Sequence, residues 1–327
     1  MRLRRSDPGR AGYGRRRAGK GWVFLDPRGE PVRDPEELSR LRELVIPPAW
    51  QDVWISPYPN GHIQATGVDA AGRKQYLYHP EWRRKRDEAK FDHVLEVAHR
   101  LPVLRARIAD DLGRRGLNRD RVLATVARLL DMGMFRVGND QYAVGEDATF
   151  GVSTLRPEHA RSRGGCVVFE FPAKGGIEQV RRIEDEELCQ VLTNLRRRRR
   201  AEDRLFGYWD GQQWRDVRSD EVNEYLRHAS GGEMTAKDFR TWHATVLAAT
   251  ELATVGVQRS ATARKKAVAG VMKEVAELLG NTPTVARTSY VDPRVVDLYH
   301  DGVVAPVRPD TPKPEAERTV LELLEEA

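Results

Sequence analysis

The sequence predicts an α+β protein, with a small, mainly β N-terminal domain and a larger, mainly α domain carrying a short β-hairpin sheet. Three observations predict it. Short apolar runs broken by Pro, Gly and Asp turn signals fill residues 21 to 78. Beyond Trp82, apolar residues recur at the i, i+3, i+4, i+7 spacing of buried helix faces. One clear hairpin pattern interrupts those helices. A chain of 327 residues suits two domains of roughly 150 residues each.

In chain order, residues 1–20 hold eight basic side chains against Asp7 alone and read as a basic, flexible tail. The N-terminal domain is expected over 21–85. Its strands are Trp22 to Leu25, Asp52 to Ile55, His62 to Ala65 and Gln75 to Tyr78, with one helix from Asp34 to Leu44. The helical domain is expected over 86–306, the change of character falling between residues 80 and 92. Its helix from Arg121 to Met132 carries Val122, Leu123, Val126, Leu129 and Leu130, has Asn118 or Asp120 to cap it, and ends at Gly133. The hairpin runs from Cys166 to Phe171 and from Ile177 to Ile183 around Pro172 to Gly176. A second hairpin turns between Trp209 and Trp214. The run Arg196 to Arg200 follows the acids Glu184 to Glu187 and reads as one solvated helix with opposite charges at its ends. Val268, Val271, Val275 and Leu279 line a further helix closed by Gly280. Residues 307–327 read as an acidic tail.

Composition narrows the function classes. The formal charge of +6 is modest against 49 acidic residues, but its skew toward the N-terminus suits a polyanionic partner. Two cysteines, Cys166 and Cys189, without a C-x-x-C motif make no disulfide framework and point to a reducing interior. The N-terminal arginines precede no apolar stretch, and no run reaches membrane-spanning length. The expected location is cytoplasmic and nucleoid-associated. His93 and His99 lie six apart, the wrong spacing for one helix face, so no metal is assigned. Gly14 to Gly21 nearly spells a P-loop but lacks the final Ser or Thr, and reads as part of the basic tail.

Five residues carry chemistry once a nucleic-acid backbone is considered: Arg136 after a helix end, Lys174 beside two glycines in the hairpin turn, Arg240, Asn281 past a helix C-terminus, and Tyr290. Displacing a strand from a phosphodiester needs a nucleophile, neutralisation of the non-bridging oxygens and a proton for the leaving 5′-oxygen. A phenol with a pKa of about 10 attacks as phenolate only among cations. Two arginines can grip the phosphate as preorganised donors grip an oxyanion. A lysine can protonate the leaving group, and an amide can donate one more hydrogen bond. The set is complete without a cofactor. Spacing alone does not assemble residues scattered over so much chain.

The blocks Ile46-Pro-Pro-Ala-Trp50, Gly61-His-Ile-Gln-Ala-Thr-Gly67, Gly72-Arg-Lys-Gln-Tyr-Leu-Tyr-His79, Arg136-Val-Gly-Asn139, Phe171-Pro-Ala-Lys-Gly175, Lys237-Asp-Phe-Arg-Thr-Trp-His243 and Leu279-Gly-Asn-Thr-Pro283 do order them. In these blocks, from about Leu3 to about Arg294, the chain resembles the bacterial branch of the poxvirus-type topoisomerases IB. The resemblance implies that Tyr290 forms a 3′-phosphotyrosyl bond, that Arg136 and Arg240 stabilise the pentacoordinate transition state, and that Lys174 is the general acid. It implies that Gln75, Tyr76 and Tyr78, with Arg73 and Lys74 beside them, meet duplex DNA in its major groove. It also implies a monomeric, C-shaped clamp needing neither metal nor ATP. One position departs: the family usually has histidine where this chain has Asn281, which keeps a hydrogen bond and loses proton transfer. Two other classes compete. A tyrosine recombinase shares the arginine, lysine, arginine and tyrosine set, but usually carries His-x-x-Arg where this chain has Lys237 and Arg240. A non-catalytic duplex-binding module needs neither the hairpin lysine nor the late tyrosine.

Overall fold

The computed structural model describes residues 1–133, 135–145, 147–163, 166–197 and 204–327. It is α+β, and the chain divides into two compact units, Met1–Phe91 and Asp92–Ala327.

In the first unit, β1 (Gly14–Ala18) and β2 (Gly21–Leu25) form an antiparallel hairpin, and α1 (Pro35–Glu43) follows. Strands β3 (Gln51–Ile55), β4 (Ile63–Val68) and β5 (Lys74–Tyr78) make an antiparallel sheet in the order β3-β4-β5. Asp34 caps α1 by accepting from the Glu36 N–H at 3.0 Å. Phe24, Leu41, Ile46, Ile55 and Ala65 close over one another as the core of this unit.

Residues 1–20 differ from the expected free tail. Tyr13 pairs with Ile55 through both backbone groups, and Arg4 bridges to the Asn60–His62 segment. The Ser6 N–H donates to His62 Nδ1 at 2.9 Å. Arg15 donates to the carbonyls of Ile46, Pro47 and Trp50 at 2.9, 2.5 and 3.1 Å, and its guanidinium lies over the Trp22 ring. A basic strand is stable here because neutral carbonyls and an aromatic face receive the charge. The near P-loop is the strand–turn–strand of β1 and β2.

Helix α2 (Pro80–Leu112) begins in the first unit and runs into the second. After it come α3 (Arg119–Asp131), a sheet of β6 (Ala160–Arg163), β7 (Cys166–Ala173) and β8 (Ile177–Ile183) in that order, and α4 (Glu186–Arg197). The small hairpin of β9 (Gly207–Trp209) and β10 (Trp214–Asp216) precedes α5 (Ser219–Ser230), α6 (Ala236–Val255), α7 (Ala261–Leu279), α8 (Pro283–Ser289), α9 (Pro293–Asp301) and α10 (Lys313–Glu325). Of the arginine run, Arg196 and Arg197 end α4; the rest lies outside the described residues.

Helix α3 is buried almost all round, as is the first half of α6, so these two form the spine of the second core. Each fully buried Leu or Val on them contributes about 1.5–3 kcal/mol. No described helix is long and apolar enough to cross a membrane.

The expected acidic tail is also structured. Ala316, Val320, Leu321 and Leu324 are the buried face of α10. Glu317 on that face is buried and accepts from Arg105 at 2.6 and 3.0 Å, while the same guanidinium grips Asp131 at 2.8 and 2.9 Å. His243 lies 3.4 Å from Asp131 and 3.7 Å from Glu317, which completes a buried ion network joining α2, α3, α6 and α10. His93 and His99 go to separate acids, Asp238 and Glu325.

Candidate active site

Each candidate side chain is delivered by a different local device. Gly133, with φ +77°, ends α3 and starts the loop that carries Arg136. That loop is pinned to the following segment by Val152 N–H to Arg136 O (2.7 Å) and Ser153 N–H to Val137 O (2.8 Å). The two backbones cross at Gly138 and Gly151, where a Cβ on Gly151 would stand 2.3 Å from Gly138 N. Only glycine fits such a crossing. The pinned backbone lets the half-buried Arg136 side chain reach the end of α7, where Nη2 donates to Leu279 O, Gly280 O and Asn281 Oδ1 at 3.0, 3.0 and 2.8 Å.

Those carbonyls are available because Gly280, with φ +59°, turns the chain out of α7 in the left-handed conformation. Arg240, from the first turns of α6 and only 6% exposed, shares one of them: its Nη2 donates to Leu279 O at 2.7 Å. The two guanidiniums thus meet on one helix end, whose partial negative charge tolerates the crowding. Arg240 Nε and Asn281 Nδ2 are both buried and have no hydrogen-bond partner among the described residues.

Tyr290 terminates α8. Thr245 on α6 donates to its carbonyl at 3.2 Å and accepts from the Asp292 N–H at 3.1 Å, so the helix that carries Arg240 also fixes the backbone of the tyrosine. The Arg240 guanidinium carbon stands 5.4 Å from the Tyr290 ring centroid. Burial raises the Tyr290 phenol, but the charge and hydrogen bond of Arg240, with Arg136 and Lys237 adding charge, outweigh it. The net result holds the phenol below the ordinary tyrosine value. The arginines feel the reverse. Burial, reinforced by the like charge of Arg136, brings Arg240 down to about 10, and burial lowers Arg136.

Lys174 lies exposed in the β7–β8 turn, where Gly175 and Gly176 take φ of +85° and +70°. It stands on the rim of a cavity lined also by Arg136, Arg240, Gln179 and Arg181. No carboxylate among the described residues lines that cavity. The structure therefore brings together around α7 and α8 the five residues the sequence singled out.

The strand expected to meet DNA is β5. Its alternation puts Lys74, Tyr76 and Tyr78 on an exposed face, the two rings stacked 5.9 Å apart and 41% and 36% exposed. Gln75 lies on the other face and donates to Asp69 at 2.9 Å, and Arg73 binds the same carboxylate. So two of the three predicted major-groove residues are presented together, and Gln75 is engaged within the unit.

Sequence reasoning missed Arg181 and Gln179, and used Lys237 only to weigh the recombinase alternative, not as a site residue. The first two had a legible signal, the alternation of β8, which sends 179, 181 and 183 to one side. Lys237 had one too, lying one helical turn before Arg240.

Comparison with known proteins agrees with this geometry. Residues 79–301 match the family described as eukaryotic DNA topoisomerase I, catalytic core, and residues 21–69 match the bacterial DNA topoisomerase IB N-terminal domain. A DNA topoisomerase 1B of Acanthamoeba polyphaga mimivirus is 30% identical over 275 residues, covering 82% of this chain and 81% of that protein. The core match spans every position from Arg136 to Tyr290, so the chain belongs to the DNA topoisomerase IB family.

Proposed function

We propose that this protein relaxes supercoiled duplex DNA by cutting and resealing one strand through Tyr290. The Tyr290 phenolate oxygen attacks the scissile phosphorus, the bond from phosphorus to the 5′-oxygen breaks, and Lys174 Nζ gives a proton to the leaving oxygen. The product is a 3′-phosphotyrosine and a free 5′-hydroxyl. One phosphoester bond replaces another, so the reverse reaction reseals the strand with no ATP. Arg136 and Arg240 supply charge to the non-bridging oxygens at a site that is preorganised by the end of α7. In that reading guanidinium groups do the electrostatic work, and the reaction needs no metal.

Asn281 serves as a hydrogen-bond partner. Its Oδ1 already accepts from Arg136, and its unpartnered Nδ2 remains for a phosphate oxygen. Tyr76 and Tyr78, with Lys74, offer an exposed surface for the duplex, and the protein acts as a monomeric clamp. The observation that carries this reading is the position of the Tyr290 phenol against Arg240 and Arg136, two of the four cations that line the neighbouring cavity. Tyr290→Phe tests it. Covalent capture of DNA should vanish while duplex binding stays within about twofold, since only the attacking oxygen is lost. Strong residual strand cutting by this variant would remove Tyr290 from the nucleophile role.

A further inference from the structure

Four cationic side chains line the cavity beside Tyr290, and the chemistry proposed for it uses three. The fourth is Arg181. It projects from β8 on the same side as Gln179, opposite Phe169 in the register of β7, whereas its neighbour Arg182 turns the other way to meet Glu184. Its Nη2 donates to Gln179 Oε1 at 2.5 Å and reaches toward Leu278 O at 3.4 Å, one residue before the carbonyls that hold Arg136 and Arg240. The guanidinium is therefore aimed by a neighbouring amide at the same helix end as the other two.

This placement has a cost. The charge of Arg181 is among those that lower Arg240, and burial lowers Arg181 itself. Three guanidiniums and an ammonium around a cavity that no described carboxylate lines repel one another. Such an arrangement is stabilised when a polyanion binds, because each phosphate contact relieves the repulsion.

We infer that Arg181 is a further DNA-contacting residue of this site, gripping a backbone phosphate of the bound strand alongside the one held by Arg136 and Arg240. The inference rests on reading the cavity as a phosphodiester site. Lys174 sits at the tip of the hairpin that β8 completes, so a phosphate held by Arg181 also fixes that hairpin and places Lys174 against the leaving group.

The test uses the full-length protein. Equilibrium binding to a short blunt duplex is measured across salt concentrations for Tyr290→Phe and for Tyr290→Phe/Arg181→Ala. One lost phosphate contact should lower the slope of log affinity against log salt by about 0.9, and Arg181→Lys in the same background should restore it. A purely structural role moves thermal melting and leaves that slope alone. Arg181→Gln, which keeps a donor for Leu278 O, serves if the alanine variant does not fold. An unchanged slope in both neutral variants overturns the inference.

In the Tyr290-containing protein, Arg181→Ala should slow single-turnover formation of the covalent adduct by about tenfold or more. A rate equal to that of the parent also overturns the inference. The two readings separate cleanly. Loss of the slope with no adduct from the parent protein upholds the phosphate contact and refutes the cutting mechanism. A normal adduct with an unchanged slope does the opposite.

Discussion

At the residue scale, the reactivity assigned to Tyr290 comes from a contest between burial and charge. Burial opposes the phenolate, and Arg240 wins because it lies against the ring and pairs with no carboxylate among the described residues. A group whose pKa is depressed in the folded protein is ionised at lower pH, so the cleavage rate should rise with pH and level off below the ordinary tyrosine value. Arg240→Ala removes the largest favourable contribution. It should slow cleavage by about 10²–10³-fold and move the rise of the single-turnover pH–rate profile to higher pH. A rise left in place would show that Arg240 does not set the phenol. Lys174→Ala should slow cleavage and be rescued by a substrate with a more acidic 5′ leaving group, because a good leaving group needs no proton. Failure of rescue would take Lys174 out of the acid role. Of these residues, the chemical type was legible in the sequence and the grouping was not. Arg136 and Asn281 lie far apart in the chain, and only the left-handed turn at Gly280 brings a carbonyl to each arginine. Gln75 shows the opposite limit. The sequence placed it beside Tyr76, but strand alternation and the nearby Asp69 take it to the other face.

At the scale of elements, apolar periodicity located β2 to β5, the two hairpins of the second unit and α3 within about three residues, because burial imposes that period, and it missed β1 and β6. It was charge counting that misread the ends. Residues 14–18 carry three arginines and still form β1, since their backbone pairs with β2 and the carbonyls around Pro47 accept Arg15. The last residues are acidic and still form α10, because Ala316, Val320 and Leu324 keep helical spacing beneath the charges. A truncation of residues 1–18 would therefore remove a strand rather than a tail, and would not isolate the effect of charge. The network under α10 has a pH signature. Burial raises Asp131, but its bonds to Arg105 and the neighbouring His243 outweigh this and hold it well below the usual carboxylate range. The sign follows from linkage: this stabilisation is fully present above the unfolded carboxylate pKa of about 3.9 and is lost as pH falls below it. Asp131→Asn should lower stability near neutral pH by about 3 kcal/mol, because it takes from the largely buried Arg105 one of its two carboxylates. Its thermal melting should also lose less between pH 6 and pH 3 than that of the parent. An equal acid loss in both proteins would place the pH sensitivity elsewhere.

At the scale of the whole molecule, family membership accounts for why the two units occur in one chain. On the proposed reading, the stacked tyrosine pair of the first unit and the cation-lined cavity of the second each contribute to duplex binding. The tyrosine recombinase alternative loses ground, since the N-terminal unit matches the bacterial topoisomerase IB domain. A non-catalytic module is left with no use for a tyrosine whose phenol is held below its ordinary pKa. The decisive measurement is relaxation of a supercoiled plasmid in EDTA without ATP, with a detergent-quenched sample probed for protein attached to DNA. The expected result is relaxation together with an adduct on the 3′ side of the break, both lost in Tyr290→Phe. Tight, salt-sensitive binding with neither relaxation nor adduct, unchanged when Asn281→His restores the usual family residue, would contradict the mechanism.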